Sequence, residues 1–133
     1  MKRVLFVCVQ NSFRSQMAEG FARQLGKGIV EPYSAGSQPS GIVSPKAIAA
    51  MKELDIDISS HKSKGFDALP EGEWDVIVTM GCGDACPFLP AKMRLDWDLP
   101  EPRNMPPTEL NKVRDEIHRR VTQLIQDLAQ RKK

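Results

Sequence analysis

The chain opens on an unbroken apolar run. Val4, Leu5, Phe6, Val7, Cys8 and Val9 follow one another directly after Arg3. A run this short and rich in β-branched residues predicts a strand buried on both faces. The period then changes. Met17, Ala18, Phe21, Ala22 and Leu25 recur at helical spacing, with Gly26 where a C-cap is expected. "GIVEPYSAG" (28–36) predicts a second strand closed by Gly36. "SPKAIAAMKEL" (44–54) predicts a helix with Ser44 as N-cap and Pro45 in its first position. "WDVIVTM" (74–80) predicts a third buried strand, and "MRLDWDL" (93–99) a weaker fourth. From Thr108 onward, Val113, Ile117, Val121, Leu124 and Leu128 mark one face of a long C-terminal helix.

Strands alternating with helices predict an α/β fold with a mostly parallel sheet covered on both faces. Right-handed crossovers leave few topologies. Ligands bind such sheets beyond the carboxyl ends of the strands. Cys8 ends the first strand. Cys82 and Cys86 lie just past the third, and Asp96, Asp98 and Glu101 lie in or just past the fourth. Groups distant in sequence are therefore expected on one rim.

Composition narrows the class. A chain of 133 residues, 41% hydrophobic and 27% charged, suits one domain spanning residues 1–133. A formal net charge of +2 gives no reason to expect a nucleic-acid or membrane partner, and a monomer is expected. The basic end Arg131-Lys132-Lys133 reads as a solvated helix terminus. The first apolar run is too short for a signal peptide, and no stretch could span a bilayer. Three cysteines, an odd number without secretory context, argue against a structural disulfide framework. The cytoplasm is the expected location, with the cysteines as reduced thiols.

The segment "CVQNSFRS" (8–15) joins the first strand to the first helix. A loop in that place turns the N–H groups of Val9, Gln10, Asn11, Ser12, Phe13, Arg14 and Ser15 into one concavity, and the helix adds its positive end. The Arg14 guanidinium offers a planar fork of donors. Such a cradle fits a tetrahedral oxyanion: phosphate, sulfate or arsenate. The same field favours the thiolate form of Cys8, an in-line nucleophile beneath the bound centre. Ser12 or Ser15 could hydrogen-bond that sulfur, and Asn11 suits a left-handed turn. The loop lacks the Gly-Lys-Ser/Thr of a Walker A motif. His61 and His118 stand at no metal-ligand spacing, so Cys82 and Cys86 read as packing or redox thiols rather than as part of a zinc site. His61 reads as a turn or packing residue, and Trp74 and Trp97 as packing at strand edges.

"CVQNSFRSQMAEG" (8–20) resembles the catalytic loop of the low-molecular-weight protein tyrosine phosphatases. It is still more similar to the arsenate reductases of that fold, which use thioredoxin or a related thiol donor. Phosphatases more often carry Pro where Gln16 stands. "YSAGS" (33–37), "PKAIAAMKELDIDISSHKS" (45–63) and "VTMGCGDACP" (78–87) extend the resemblance along nearly the whole chain. It implies a four-stranded parallel sheet flanked by helices.

The resemblance also implies a chemistry. Cys8 attacks arsenate, Cys82 takes over the Cys8 sulfur as arsenite leaves, and Cys86 moves the disulfide outward to Cys82–Cys86. Thioredoxin then reduces it, with glutaredoxin or a low-molecular-weight thiol as other donor classes. No bound cofactor is expected. Gly81 and Gly83 would give Cys82 its freedom. The acid of the family corresponds to Glu101 before Pro102, with Asp96 or Asp98 as substitutes. Some relatives bind potassium near the loop. Asn11, Glu19 and Ser34 fall on positions resembling its ligands, whereas Lys64 stands where those relatives have Asp, so an ammonium pairing with Glu19 and no metal requirement are expected. Two other readings are a phosphatase acting on phosphotyrosine or small phosphoesters, and a thiol-based redox sensor or metalloid-binding module. Tyr33 is the only tyrosine, and no aromatic pair stands ready to grip a phosphotyrosine ring.

Overall fold

In a computed structural model, which describes residues 1–80, 89–100, 102 and 104–130, four parallel strands form one sheet in the order β2-β1-β3-β4. The strands are β1 (Lys2–Cys8), β2 (Val30–Gly36), β3 (Trp74–Thr79) and β4 (Ala91–Asp96). The α-helices are α1 (Arg14–Leu25), α2 (Pro45–Lys52) and α3 (Pro107–Gln130). The α/β architecture expected from the alternation is present.

Strand period divides the core in two. Val4, Phe6 and Cys8 of β1 face one way and join Val76 and Val78 beneath α1, α2 and α3. Leu5 and Val7 face the other way, with Ala35, Trp74 and Ile77. Among the described residues, that second face is covered by Phe66 and Leu69, in and beside a short 3-10 turn (Phe66–Ala68), and by Leu89. The three α-helices thus all pack on the larger cluster. Trp74 is buried with its ring edge on Tyr33 and the Arg3 guanidinium 4.3 Å from its centroid.

The structure departs from the sequence reading at several element ends. β4 runs Ala91–Asp96, starting two residues and ending three residues earlier than expected. Trp97 and Leu99 are buried beyond it, Trp97 against Phe6 at 6.0 Å between ring centroids. Their apolar character serves the core, not the strand. Leu25 ends α1 at 40% exposure and leaves the apolar face. Gly26 does cap α1, but with φ −102° rather than a left-handed angle. A Cβ there would lie 2.4 Å from Val30 Cγ2 and 2.8 Å from the Ala22 carbonyl, so close packing explains the glycine. Ser44 precedes α2 as expected, yet its side chain makes no cap bond. Its backbone N–H goes to the Ser12 carbonyl at 2.9 Å instead.

The topology fixes where chemistry can occur. β1 is flanked by β2 on one side and β3 on the other, so the chain changes direction across the sheet at the carboxyl end of β1. That is the crevice at which open α/β sheets bind ligands. Cys8 sits at its edge, opposite Gly36 in register. A Cβ on Gly36 would lie 2.5 Å from the Val9 carbonyl and 2.8 Å from the Asn11 N–H. Backbone on both sides leaves no room, so Gly36→Ala should displace the segment after Cys8. The expected cost is about 1–3 kcal/mol, read by urea unfolding, with a matching loss of phosphate binding.

Candidate active site

Residues 9–13 form a loop whose polarity is set by where its carbonyls go. The Val9 carbonyl accepts from Gln38 N–H (2.8 Å), that of Gln10 from Ser40 N–H (3.1 Å), and that of Ser12 from Ser44 N–H (2.9 Å). The Ser63 hydroxyl also donates to the Gln10 carbonyl, at 2.8 Å. The Phe13 carbonyl accepts from Met17 N–H inside α1 at 3.0 Å. The Asn11 carbonyl accepts from Gln16 Nε2 at 3.0 Å. Each carbonyl from Val9 to Phe13 is therefore committed away from the concavity. In trans peptides the N–H points opposite to the preceding carbonyl, so the N–H groups of Gln10 through Arg14 are turned inward. The first turn of α1 adds its unpaired donors. The arrangement is a nest for an anion.

Cys8 ends β1 directly before this loop and is 3% exposed. Its Sγ is 2.9 Å from Ser15 Oγ. The same Oγ accepts from Asn11 Nδ2 at 2.8 Å. Asn11 occupies one of its two lone pairs; either Ser15 or a Cys8 thiol can donate across the contact, and with Cys8 as a thiolate the Ser15 hydroxyl is the donor. Asn11 itself has φ +51°, the left-handed conformation its residue type suggested. Arg14 opens α1 and is buried; its Nη1 donates to the Leu99 carbonyl at 2.9 Å. That bond holds the segment leading to Glu101 against the loop.

The sequence-predicted residues from Cys8 to Ser15 are brought together. Ser15, not Ser12, reaches the sulfur. Cys82, Cys86 and Glu101 lie outside the described residues, with Gly81 and Gly83. The last described residues before Cys82 run beside the end of β1: Thr79 pairs with Val7, and Met80 N–H donates to the Val7 carbonyl at 2.8 Å. Asp96 and Asp98 are exposed, and Asp96 Oδ1 accepts from Thr79 Oγ1 at 2.8 Å.

A polar cluster backs the loop. Glu19 is 5% exposed. Its carboxylate accepts from Ser34 Oγ at 2.6 Å and Arg23 Nη2 at 2.9 Å, and lies 3.8 Å from Lys64 Nζ. Lys64 Nζ also donates to Ser34 Oγ at 3.5 Å. The expected pairing of the Lys64 ammonium with Glu19 is thus present. Among the described residues no group of three His, Cys, Asp or Glu side chains could hold a metal ion. None of their helices is long and apolar enough to cross a membrane. A recess of about 570 Å³ between α2 and the start of α3 is lined by Ala49, Ala50, Met105 and Leu110 among others and includes no residue of the loop.

His61 is more than the packing residue expected. Its Nδ1 is 3.0 Å from Gln16 Oε1 and 3.7 Å from Glu19 Oε2. Burial pushes its pKa below the ordinary value, against the pull of Glu19, with Arg23 and Lys64 adding to the lowering. The ring is then neutral at pH 7 with its proton on Nδ1. Sequence reasoning noted Gln16 only as a departure from the phosphatase pattern. The tie from residues 38–44 was not anticipated either, because backbone-to-backbone bonds leave no residue signature.

The unfolded chain protonates His61 near 6.5, the folded one only at lower pH. The stability linked to the neutral ring is therefore complete above about 6.5 and is lost as pH falls below it. The melting temperature should fall between pH 7 and pH 5, and fall less in His61→Gln. An equal decline in both would contradict the burial effect.

Comparison with known proteins places this geometry. The sequence matches the low molecular weight phosphotyrosine protein phosphatase family over residues 3–133. It is 45% identical over 120 residues to an arsenate reductase of Staphylococcus xylosus, covering 87% of this chain and 90% of that one. The fold superimposes with a TM-score of 0.85 on a solved arsenate reductase in the phosphate binding state, at 38% identity, covering 96% of this chain and 99% of that one. A thioredoxin-dependent arsenate reductase of Corynebacterium glutamicum gives a TM-score of 0.79 at 32% identity, over 99% of this chain and 64% of that one. The chain belongs to the low molecular weight phosphotyrosine protein phosphatase family and stands with the arsenate reductases of that fold.

Proposed function

We propose that this protein is an arsenate reductase in which Cys8 is the nucleophile and Cys82 and Cys86 carry the oxidising equivalents away. The observation that carries the reading is the loop after Cys8 with its carbonyls from Val9 to Phe13 all committed to other donors, and Ser15 Oγ 2.9 Å from the Cys8 sulfur. The similarity to arsenate reductases supports the choice of oxyanion and of reaction.

Arsenate binds on the N–H groups of residues 9–15 and the Arg14 guanidinium. The Cys8 thiolate attacks arsenic and forms an S–As bond, and one arsenate oxygen leaves as water after protonation by Glu101. The Cys82 thiolate then attacks Cys8 Sγ. An S–S bond forms, the S–As bond breaks, and its electron pair stays on arsenic, which passes from As(V) to As(III) and departs as arsenite. Cys86 attacks Cys82 Sγ, Cys8 leaves as thiolate, and a Cys82–Cys86 disulfide remains. An external dithiol, thioredoxin or a related thiol donor, returns two electrons. The relay requires a reducing compartment, so the cytoplasm is its proposed location. The protein is proposed to act as a monomer with no bound cofactor and no metal, with the Lys64 ammonium serving the charge balance at Glu19.

The coupled assay with arsenate, thioredoxin, thioredoxin reductase and its nicotinamide cofactor should show multiple turnovers in the parent. Cys8→Ser, Cys82→Ser and Cys86→Ser should each fall to background. A phosphatase would keep its phosphoester hydrolysis in the last two and reduce no arsenate; a sensor would react once and stop. Replacing potassium with a bulky organic cation should leave turnover unchanged within about twofold. A tenfold loss would show that Lys64 does not serve in a metal's place.

A further inference from the structure

Gln16 makes bonds that the loop cannot make for itself. Its side chain is fully buried at the third position of α1. Four of the five loop carbonyls are held by backbone N–H donors, from Gln38, Ser40, Ser44 and Met17. The fifth, that of Asn11, is held by the Gln16 side chain. Gln16 Nε2 lies 3.0 Å from the Asn11 carbonyl, 3.0 Å from Asn11 Oδ1 and 2.9 Å from the Lys62 carbonyl. Three acceptors around one group require the NH2 there, and Oε1 receives the His61 Nδ1 proton on the other side. The amide cannot turn over without setting oxygen against three oxygens.

Both effects of this amide converge on Asn11. Holding the carbonyl outward keeps the Ser12 N–H turned into the nest. Holding Oδ1 leaves Asn11 Nδ2 on Ser15 Oγ, and Ser15 on the Cys8 sulfur. Asn11 has φ +51°, a left-handed conformation that Asn tolerates, and Gln16 holds both its carbonyl and its Oδ1 in that conformation. We propose that Gln16 is a positioning residue for oxyanion capture: its amide fixes the Asn11 peptide so that the nest presents an N–H, not a carbonyl, to the anion. This rests on the reading that the nest takes arsenate or phosphate above Cys8.

Gln16→Met keeps length and burial and removes the donor. Inorganic phosphate affinity is measured by titration, and arsenate KM and kcat in the thioredoxin-coupled assay. Phosphate should bind about tenfold more weakly, the loss expected from about 1.4 kcal/mol. Arsenate KM should rise by a similar factor, while kcat stays within about threefold. If the Met variant does not fold, Gln16→Glu, which keeps an acceptor for His61, carries the same expectation. Phosphate affinity and KM within twofold of the parent, whatever the melting temperature, would overturn the proposal. A parent that binds no phosphate sinks the functional reading and this inference with it; a parent that binds, with a variant that matches it, sinks the inference alone.

Discussion

A carbonyl and the next N–H point in opposite directions, and the whole site follows from committing the carbonyls first. Five consecutive loop carbonyls are tied outward, by the backbone of residues 38–44, by Ser63, by Gln16 and by the first turn of α1. The inward N–H groups are the consequence. A strand end, a helix start and a bracing segment suffice for that. Gly36 permits the bracing segment to leave β2 close enough to do this.

The sheet sets the place and the backing cluster keeps it polar. β1 is central, so its carboxyl end lies between strands on both sides, and chain leaving β3 starts beside Cys8. Burying Glu19 near this point would be costly alone. Ser34, Arg23 and Lys64 surround it, and neutral His61 bridges from it to Gln16. The network is buried and connected, so it specifies one arrangement of Asn11.

Much of this was legible in the sequence where residue type carries the signal. The apolar run before Cys8 fitted a buried strand and the period change after it a helix, and both are present. Their junction located the nest, and Asn11 announced its own conformation. Where type and role separate, the sequence misled. Trp97 and Leu99 look like strand and are core beyond it; Gly26 looks like a left-handed cap and is a close contact; Ser44 looks like a side-chain cap and acts through its backbone. Gln16 was the hardest to read. Its partners His61 and Lys62 are more than forty positions away, and no local pattern pairs them.

The central claim concerns one concavity and its donors. Backbone amide resonances of the reduced protein, followed by NMR through a phosphate titration, test it directly. The account predicts that the amides of residues 9–15 shift together with a single dissociation constant, and that the Ser12 amide is among those moving most. Shifts confined to other surfaces, or none at all up to tens of millimolar phosphate, would contradict it.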